Sequence, residues 1–460
     1  ADSPFVALHH EVVNWLQAHR QSTVFDDSHL QVMFSQCKKL VERLQKRGAV
    51  VGSSLNTAYL LERLSQTLER LEILMAIFVS NRYLPRRILL LTGCFARTAA
   101  EKHSITRLWK QSSRLISRSI TQNAGDHGEH YITRDKKEYW AMFYSAAGGG
   151  VLIALMALFK IYLGSIIDDK VWKGIAEGLN YGLGFMVIFM LHFTVATKQP
   201  AMTAARFAEA VEKTPQGKTV NMKLAQLLVD VFRSQSIAVL GNVLIAMGLA
   251  ALIAFSYQYK TGEPLMNADQ IAYQLHSIDP FAGTLWFAAI AGVWLFCSGI
   301  ISGYFDNRSN YLNMRMRLTQ HPLLKKLMSE KSRVKFANYM HENYGSLIGN
   351  LCFGMLLGIT GVVGYLTHLP LDIRHVAFSS ANVGYIAVSG QFTYSLLLQC
   401  IGFVLLIGLV NLIVSFSLTL WVALRSLNAE IDSWWPIWYE VCQIVKKRPL
   451  SLFLPVQLDK

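Results

Sequence analysis

Lys160 and His192 both stand inside long apolar stretches of this chain. An ionisable group in such a place is costly to keep and is therefore a candidate for ligand or ion chemistry. His192 is followed by Thr194, Thr197, Lys198 and Gln199 before Pro200 breaks the pattern; polar groups at a broken helix end within a membrane can bind an ion or an anionic group. Helix-to-helix hydrogen bonding is the plainer use of the same residues, and Lys160 can instead reach outward to the nearer surface. Asp126, His127, Glu129 and His130 form one compact set with ligand side chains, suited to a metal or a phosphate. Neighbours on one helix or strand do not all converge, so a hydrogen-bonded turn is the alternative. Asn242 and Asn350 lie near the starts of apolar helices, where an amide needs a partner across helices or an aqueous cavity. Asp372, Arg374 and His375 sit in a nearly uncharged segment, 369–394, rich in Ser, Gly and Asn. That segment can dip back between helices, or it can fold as a loop closed by Asp372 on Arg374 or His375.

The elements that must position these residues follow from composition. Apolar residues make up 52% and charged residues 16% of the 460, more apolar surface than a soluble chain of this length needs to bury. A bilayer crossing requires about 20 mostly apolar residues in one helix. Six stretches meet that need, at residues 146–166, 181–197, 237–257, 284–304, 346–366 and 396–420. The expected fold is all-α: a polytopic membrane protein with six transmembrane helices at 141–427, a helical cytoplasmic region at 1–140 and a cytoplasmic or interfacial tail at 428–460.

The net charge of +14 fits nucleic acid binding or the basic cytoplasmic loops of a membrane protein, and position separates the two. Lys plus Arg number 20 before the first stretch, then 2, 6, 1, 8 and 1 in successive loops and 5 in the tail. This alternation predicts that both termini face the cytoplasm. Tyr139 and Trp140 before the first stretch, and Trp434, Trp435 and Trp438 after the last, are placed as interfacial anchors. The six cysteines are scattered without a CxxC pair, so neither a disulfide framework nor a zinc site is expected. No leader with a basic, apolar and small-residue pattern precedes the polar start, and no intact signal peptide is expected.

A repeat is also suggested. Gly241-Asn242 with the apolar run after it lines up with Gly349-Asn350 and its run, and Gly149-Gly150 begins a weaker third match; three parallel helical hairpins would account for this. Gly354 and Gly358, and Gly299 and Gly303, are spaced for close helix packing. Ahead of the membrane, Leu60, Leu64, Leu68, Leu71 and Leu74 mark one helical face. Arg97, Lys102, Arg107, Lys110, Arg114 and Arg118 alternate with apolar residues, as in a basic amphipathic helix that lies on anionic lipid, packs on the bundle or touches nucleic acid.

Five strings carry a family resemblance: Gly128-Glu129-His130-Tyr131-Ile132-Thr133-Arg134; His192-Phe193-Thr194-Val195-Ala196-Thr197-Lys198-Gln199-Pro200-Ala201-Met202-Thr203; Phe232-Arg233-Ser234-Gln235-Ser236-Ile237; Ser298-Gly299-Ile300-Ile301-Ser302-Gly303-Tyr304-Phe305-Asp306-Asn307; and Leu369-Pro370-Leu371-Asp372-Ile373-Arg374-His375-Val376-Ala377-Phe378-Ser379-Ser380-Ala381-Asn382. Over roughly 126–427 the chain resembles a bacterial family of inner-membrane proteins labelled "site-specific recombinase", the gonococcal recombinase-like membrane proteins. The resemblance implies that label but supplies no catalytic mechanism to carry over. Recombinases need an activated Tyr or Ser with several Arg around one phosphate. The most suggestive pair, Arg374 and His375, falls in a loop that the charge pattern places outside, away from a chromosome.

The expected function is therefore non-catalytic: transport of a small solute or lipid across the bacterial inner membrane, or envelope scaffolding. No Walker-type nucleotide motif is present in the sequence, so no cofactor is expected and transport would not draw on ATP bound here. The expected partners are membrane lipid and other envelope proteins, with nucleic acid disfavoured. The alternative is a membrane-tethered DNA-binding protein of recombinase type. A solid, dry helix bundle would count against transport and favour scaffolding.

Overall fold

The computed structural model describes residues 3–21, 27–51, 55–79, 84–101, 132–133, 135–196, 204, 207, 210–211, 218–388, 392–427, 431 and 433–455. Helix is the one regular element among them, as expected for an all-α membrane protein. The chain forms two compact units: Ala1–Gln122 with Asn307–Met314, and Asn123–Asp306 with Arg315–Lys460.

In the first unit, α1 (Pro4–Arg20), α2 (Asp27–Val51), α3 (Leu55–Val79) and α4 (Leu84–Glu101) follow one another, each packing on the next. The core is Leu8, Trp15, Leu30, Phe34, Cys37, Val41, Leu68 and Met75. Leu64, Leu68 and Leu71 of the expected stripe face this core, whereas Leu60 is 54% exposed. The expected basic helix beyond Glu101 lies outside the described residues, as do Asp126, His127, Glu129 and His130.

The second unit holds α5 (Lys136–Ile166), α6 (Lys170–Met190), α7 (Lys218–Thr261), α8 (Ala268–Ile278), most of α9 (Thr284–Tyr311), α10 (Met314–Gln320), α11 (Pro322–Leu327), α12 (Glu330–Thr367), α13 (Val376–Ala387), α14 (Tyr394–Leu427) and α15 (Trp435–Lys447). Among the described residues, five helices are long and apolar enough to cross a membrane: α5, α7, α9, α12 and α14. Leu155, Phe159, Leu252, Phe255, Leu405 and Ile413 on their outer faces are exposed, as side chains against lipid tails would be. Helix ends follow local chemistry. Asp135 and Asp169 cap α5 and α6 through bonds to the Glu138 amide and to the Val171 and Trp172 amides. Asn267 and Gln270 close a capping box on α8.

The second expected crossing, 181–197, does not coincide with a helix of the structure. Helix α6 runs from Lys170 to Met190 and is not among the five long apolar helices. Lys170, Lys173 and Glu177 depress the hydropathy of its first half, which shifts the sequence reading C-terminally. Its end is fixed at the other side, where His192 takes a left-handed backbone conformation with φ of 58°.

Candidate membrane-embedded site

Helix α13 is short, 12 residues, and ten of them from Val376 to Ile386 are buried. A segment that short cannot cross a bilayer, and its burial among α5, α7, α8 and α14 makes it a half-helix inserted into the bundle. The chain reaches it from Leu369 without helix, through a tight turn in which the Leu371 amide donates to the Leu369 carbonyl (2.7 Å). At the turn into α13, Asn411 of α14 donates to the carbonyls of Arg374 (3.0 Å) and of Ala288 on α9 (2.7 Å), and accepts from the Val376 amide (3.1 Å). One buried side chain thus satisfies a carbonyl and an amide that the broken helix would leave bare. At the other end the Tyr385 hydroxyl donates to the Ala154 carbonyl (2.7 Å).

The residues expected in segment 369–394 converge here. Arg374 pairs with Asp372 (2.6 Å), donates to the Ser277 carbonyl (2.8 Å) and lies over the Phe287 ring. His375 is buried among the rings of Phe185, Phe353 and Phe378. The segment thus runs into the bundle, with the Asp372–Arg374 contact at its approach.

Asn242 of α7 makes a second set of bonds. Its amide donates to the carbonyls of Ala146 on α5 and of Thr194 (3.0 Å), and its oxygen accepts from the Ala196 amide (2.6 Å). The Ser145 hydroxyl adds bonds to the Thr194 hydroxyl (2.9 Å) and the His192 carbonyl (3.0 Å). His192 itself is an exposed residue in the turn after α6, outside any helix, rather than within a span as the sequence suggested. Asn350 is buried and donates to the Ser346 carbonyl of its own helix (2.8 Å). Thr197, Lys198 and Gln199 lie outside the described residues.

Lys160 does not stand alone in the apolar stretch. Its ammonium is 3.3 Å from Glu177 on α6 and lies above the Tyr181 ring. Glu177 falls between the apolar stretches 146–166 and 181–197; the sequence signal that places it in a helix is the run Gly174, Gly178, Gly182 at four-residue spacing. These glycines seat α6 on α12: a methyl group on Gly354 would lie 2.0 Å from the Gly182 nitrogen, and one on Gly358 would lie 2.4 Å from the Gly178 Cα. A crevice beside Tyr385, lined by Ala254, Gln258, Leu265, Met266 and Val388, has no room for a water molecule. Among the described residues no group of three or more His, Cys, Asp or Glu is placed to hold a metal ion.

Arg233 is buried on α7, where it donates to the Thr133 carbonyl (2.6 Å) and pairs with Asp230 (2.9 Å). The Thr133 amide donates to Ser234 (2.8 Å). Two of the strings that carry the resemblance, the one ending at Arg134 and the one beginning at Phe232, therefore touch. Comparison with curated proteins and with solved structures finds no match. The family model described as "Site-specific recombinase" matches residues 1–455, extending through the N-terminal unit that the five strings leave out. By that match, the chain belongs to the site-specific recombinase family of proteins.

Proposed function

We propose that this protein is a carrier of the bacterial inner membrane that moves a small solute or a lipid, with both termini in the cytoplasm. The observation that carries this reading is the buried half-helix α13, whose start is held within the bundle by Asn411. Broken helices at membrane depth are tolerated where they are enclosed by protein and are a recurrent device of transporters. The intramembrane pair Lys160–Glu177 points the same way, since an anchor needs no ionisable groups in its spans. The crevice beside Tyr385, too tight for water, favours envelope scaffolding instead.

The test is reconstitution of the full chain into liposomes, with radiolabelled amino acids, carboxylates, sugars and amines and a fluorescent phosphatidylglycerol as probes. Protein-dependent movement of one probe class, weakened by Glu177→Gln, supports the carrier. No movement of any probe, together with a solid dry bundle in an experimental density map, overturns it in favour of scaffolding.

The family description favours a second reading, a DNA-acting protein tethered by its spans. Arg233 and Arg374, the most enclosed arginines described above, are engaged by carbonyl and carboxylate partners, which removes them from phosphate chemistry. Salt-sensitive binding of the detergent-solubilised full chain to duplex DNA would support this reading. Absence of binding at low salt would eliminate it.

A further inference from the structure

The bonds of Asn242 and Asn411 are the same bonds. In each case one amide side chain donates to a carbonyl on an earlier helix, donates to the carbonyl of residue n in a chain break, and accepts from the amide of residue n+2. The earlier-helix carbonyl belongs to Ala146 in one set and to Ala288 in the other. The break residues are Thr194 and Ala196 in one, Arg374 and Val376 in the other. Four residues after each alanine comes a glycine on which a methyl group would press against the backbone beside the Asn: Gly150 against the Asn242 carbonyl oxygen at 2.9 Å, Gly292 against the Asn411 carbonyl oxygen at 3.1 Å.

The order of elements agrees. In 136–278 a long helix (α5), a second helix (α6), a break, an Asn-bearing helix (α7) and a short helix (α8) follow one another; in 284–447 the order is α9, α12, a break that leads into α13, α14 and α15, with the short α10 and α11 inserted between α9 and α12. The segments after the breaks also correspond. α13 packs on α7 and on α8 of the other half. Ala204 and Phe207, described as helical, pack with Leu420 and Ala423 of α14 and with Ile437 of α15.

The direction of the two halves follows from contacts alone. α5 and α6 are antiparallel: Met156 meets Asn180, and Lys160 meets Glu177. α6 and α12 are antiparallel, with Gly182 on Gly354 and Gly178 on Gly358. α12 and α9 are antiparallel, with Gly345 beside Ser302 and Thr360 bonded to Trp294. Three reversals leave α5 opposed to α9, so the second half runs inverted relative to the first, and the α6–α12 crossing lies on the axis between them.

We infer that the membrane unit is an inverted repeat of residues 136–278 and 284–447, and that the carrier works by exchange of conformation between the halves, with the Asn242 and Asn411 bonds as gates on opposite faces. The mechanism rests on the transport reading; the repeat does not. Inverted repeats place their site at the interface of the halves and give access to each side by rocking one half against the other.

The test uses the full chain in membrane vesicles of each sidedness, its native cysteines replaced, with Ala381→Cys or Ala204→Cys. Both alanines are fully buried, and a membrane-impermeant maleimide is the probe. Asn411→Ala is expected to raise labelling at position 381 from one face by about tenfold or more, and Asn242→Ala to raise labelling at 204 from the opposite face, because each removes the bonds that pin one break. Labelling of both sites from the same face, equal exposure of both sites by either substitution, or no rise at all in correctly inserted protein would overturn the inference. Where an alanine variant fails to insert, the Asn→Ser variant is read in its place. Opposite-face labelling without flux of any probe would leave the repeat standing and remove the transport reading.

Discussion

Replacing Asn242 with Ala removes three hydrogen bonds at once, to the Ala146 carbonyl, the Thr194 carbonyl and the Ala196 amide. Interhelical bonds in membrane proteins average about 0.6 kcal/mol, so three contribute about 2 kcal/mol. The loss is uneven, however. The Ala146 carbonyl lies within α5, where a helical amide remains as partner, but the Ala196 amide is fully buried and a bare buried donor costs about 1–3 kcal/mol. The expected destabilisation is about 2–4 kcal/mol. Asn242→Asp keeps the acceptor for Ala196 but turns the donor into a second oxygen facing two carbonyls, so its loss is expected to equal or exceed that of Ala. Unfolding of the detergent-solubilised full chain, titrated with dodecyl sulfate and followed by tryptophan fluorescence, measures both. A change below about 0.5 kcal/mol for the Ala variant, or an Asp variant more stable than the Ala one, would refute the reasoning.

Three further outcomes follow from other parts of the structure. Gly354→Leu must push α6 and α12 apart, since even a methyl group there meets Gly182 at 2.0 Å; a loss of at least about 1–3 kcal/mol is expected. Gly361→Ala on the same helix, with open space around it, should be neutral or up to about 1 kcal/mol stabilising. Breaking the Lys160–Glu177 pair at one end should cost about 1–3 kcal/mol, with part of it recovered in the double variant Lys160→Met, Glu177→Leu, as a double-mutant cycle would register. In the first unit, burial holds the Cys37 thiol above its ordinary pKa of 9.0, so less of it is thiolate at any given pH below that value. Maleimide should therefore modify it more slowly than exposed Cys442 at pH 8, and the gap should narrow as the pH rises past 9; equal rates at pH 8 would contradict the burial.

Much of this fold is legible in the residues. Hydropathy finds α5, α7, α9, α12 and α14 because each carries an apolar run long enough to outweigh single polar residues such as Lys160, Asn242 and Asn411. It misplaces α6 because Lys173 and Glu177 interrupt the run, and their compensation lies elsewhere, for Glu177 at Lys160 on a neighbouring helix. Segment 369–394 shows its capacity to re-enter through lack of charge, but the residue that fixes it, Asn411, sits in the middle of a distant helix and reads there as one more polar exception. The sequence match of Asn242 with Asn350 rests on adjacent Gly-Asn pairs, whereas the shared bonding geometry links Asn242 with Asn411, where Val410 stands in place of the glycine. Backbone hydrogen bonding, which defines that correspondence, leaves no mark in side-chain strings.

The inverted halves also bear on the tight crevice beside Tyr385, which taken alone favours a scaffold. A carrier of this kind is open to one side when its halves differ in conformation and closed to both when they match. Here both sets of Asn bonds are intact, so the halves match at their gates, and this is the state closed to both sides, in which the crevice beside Tyr385 is too tight for water. A state open on the α13 side should break the Asn411 bonds to Arg374 and Val376 while the Asn242 bonds persist; the state open on the other side should do the reverse. Trapping either state with the labelled cysteine variants and determining its structure in lipid nanodiscs checks this. A structure open on one face with both Asn sets unbroken would show that the gates lie elsewhere, and one open on a face with both sets broken would show that the halves do not alternate.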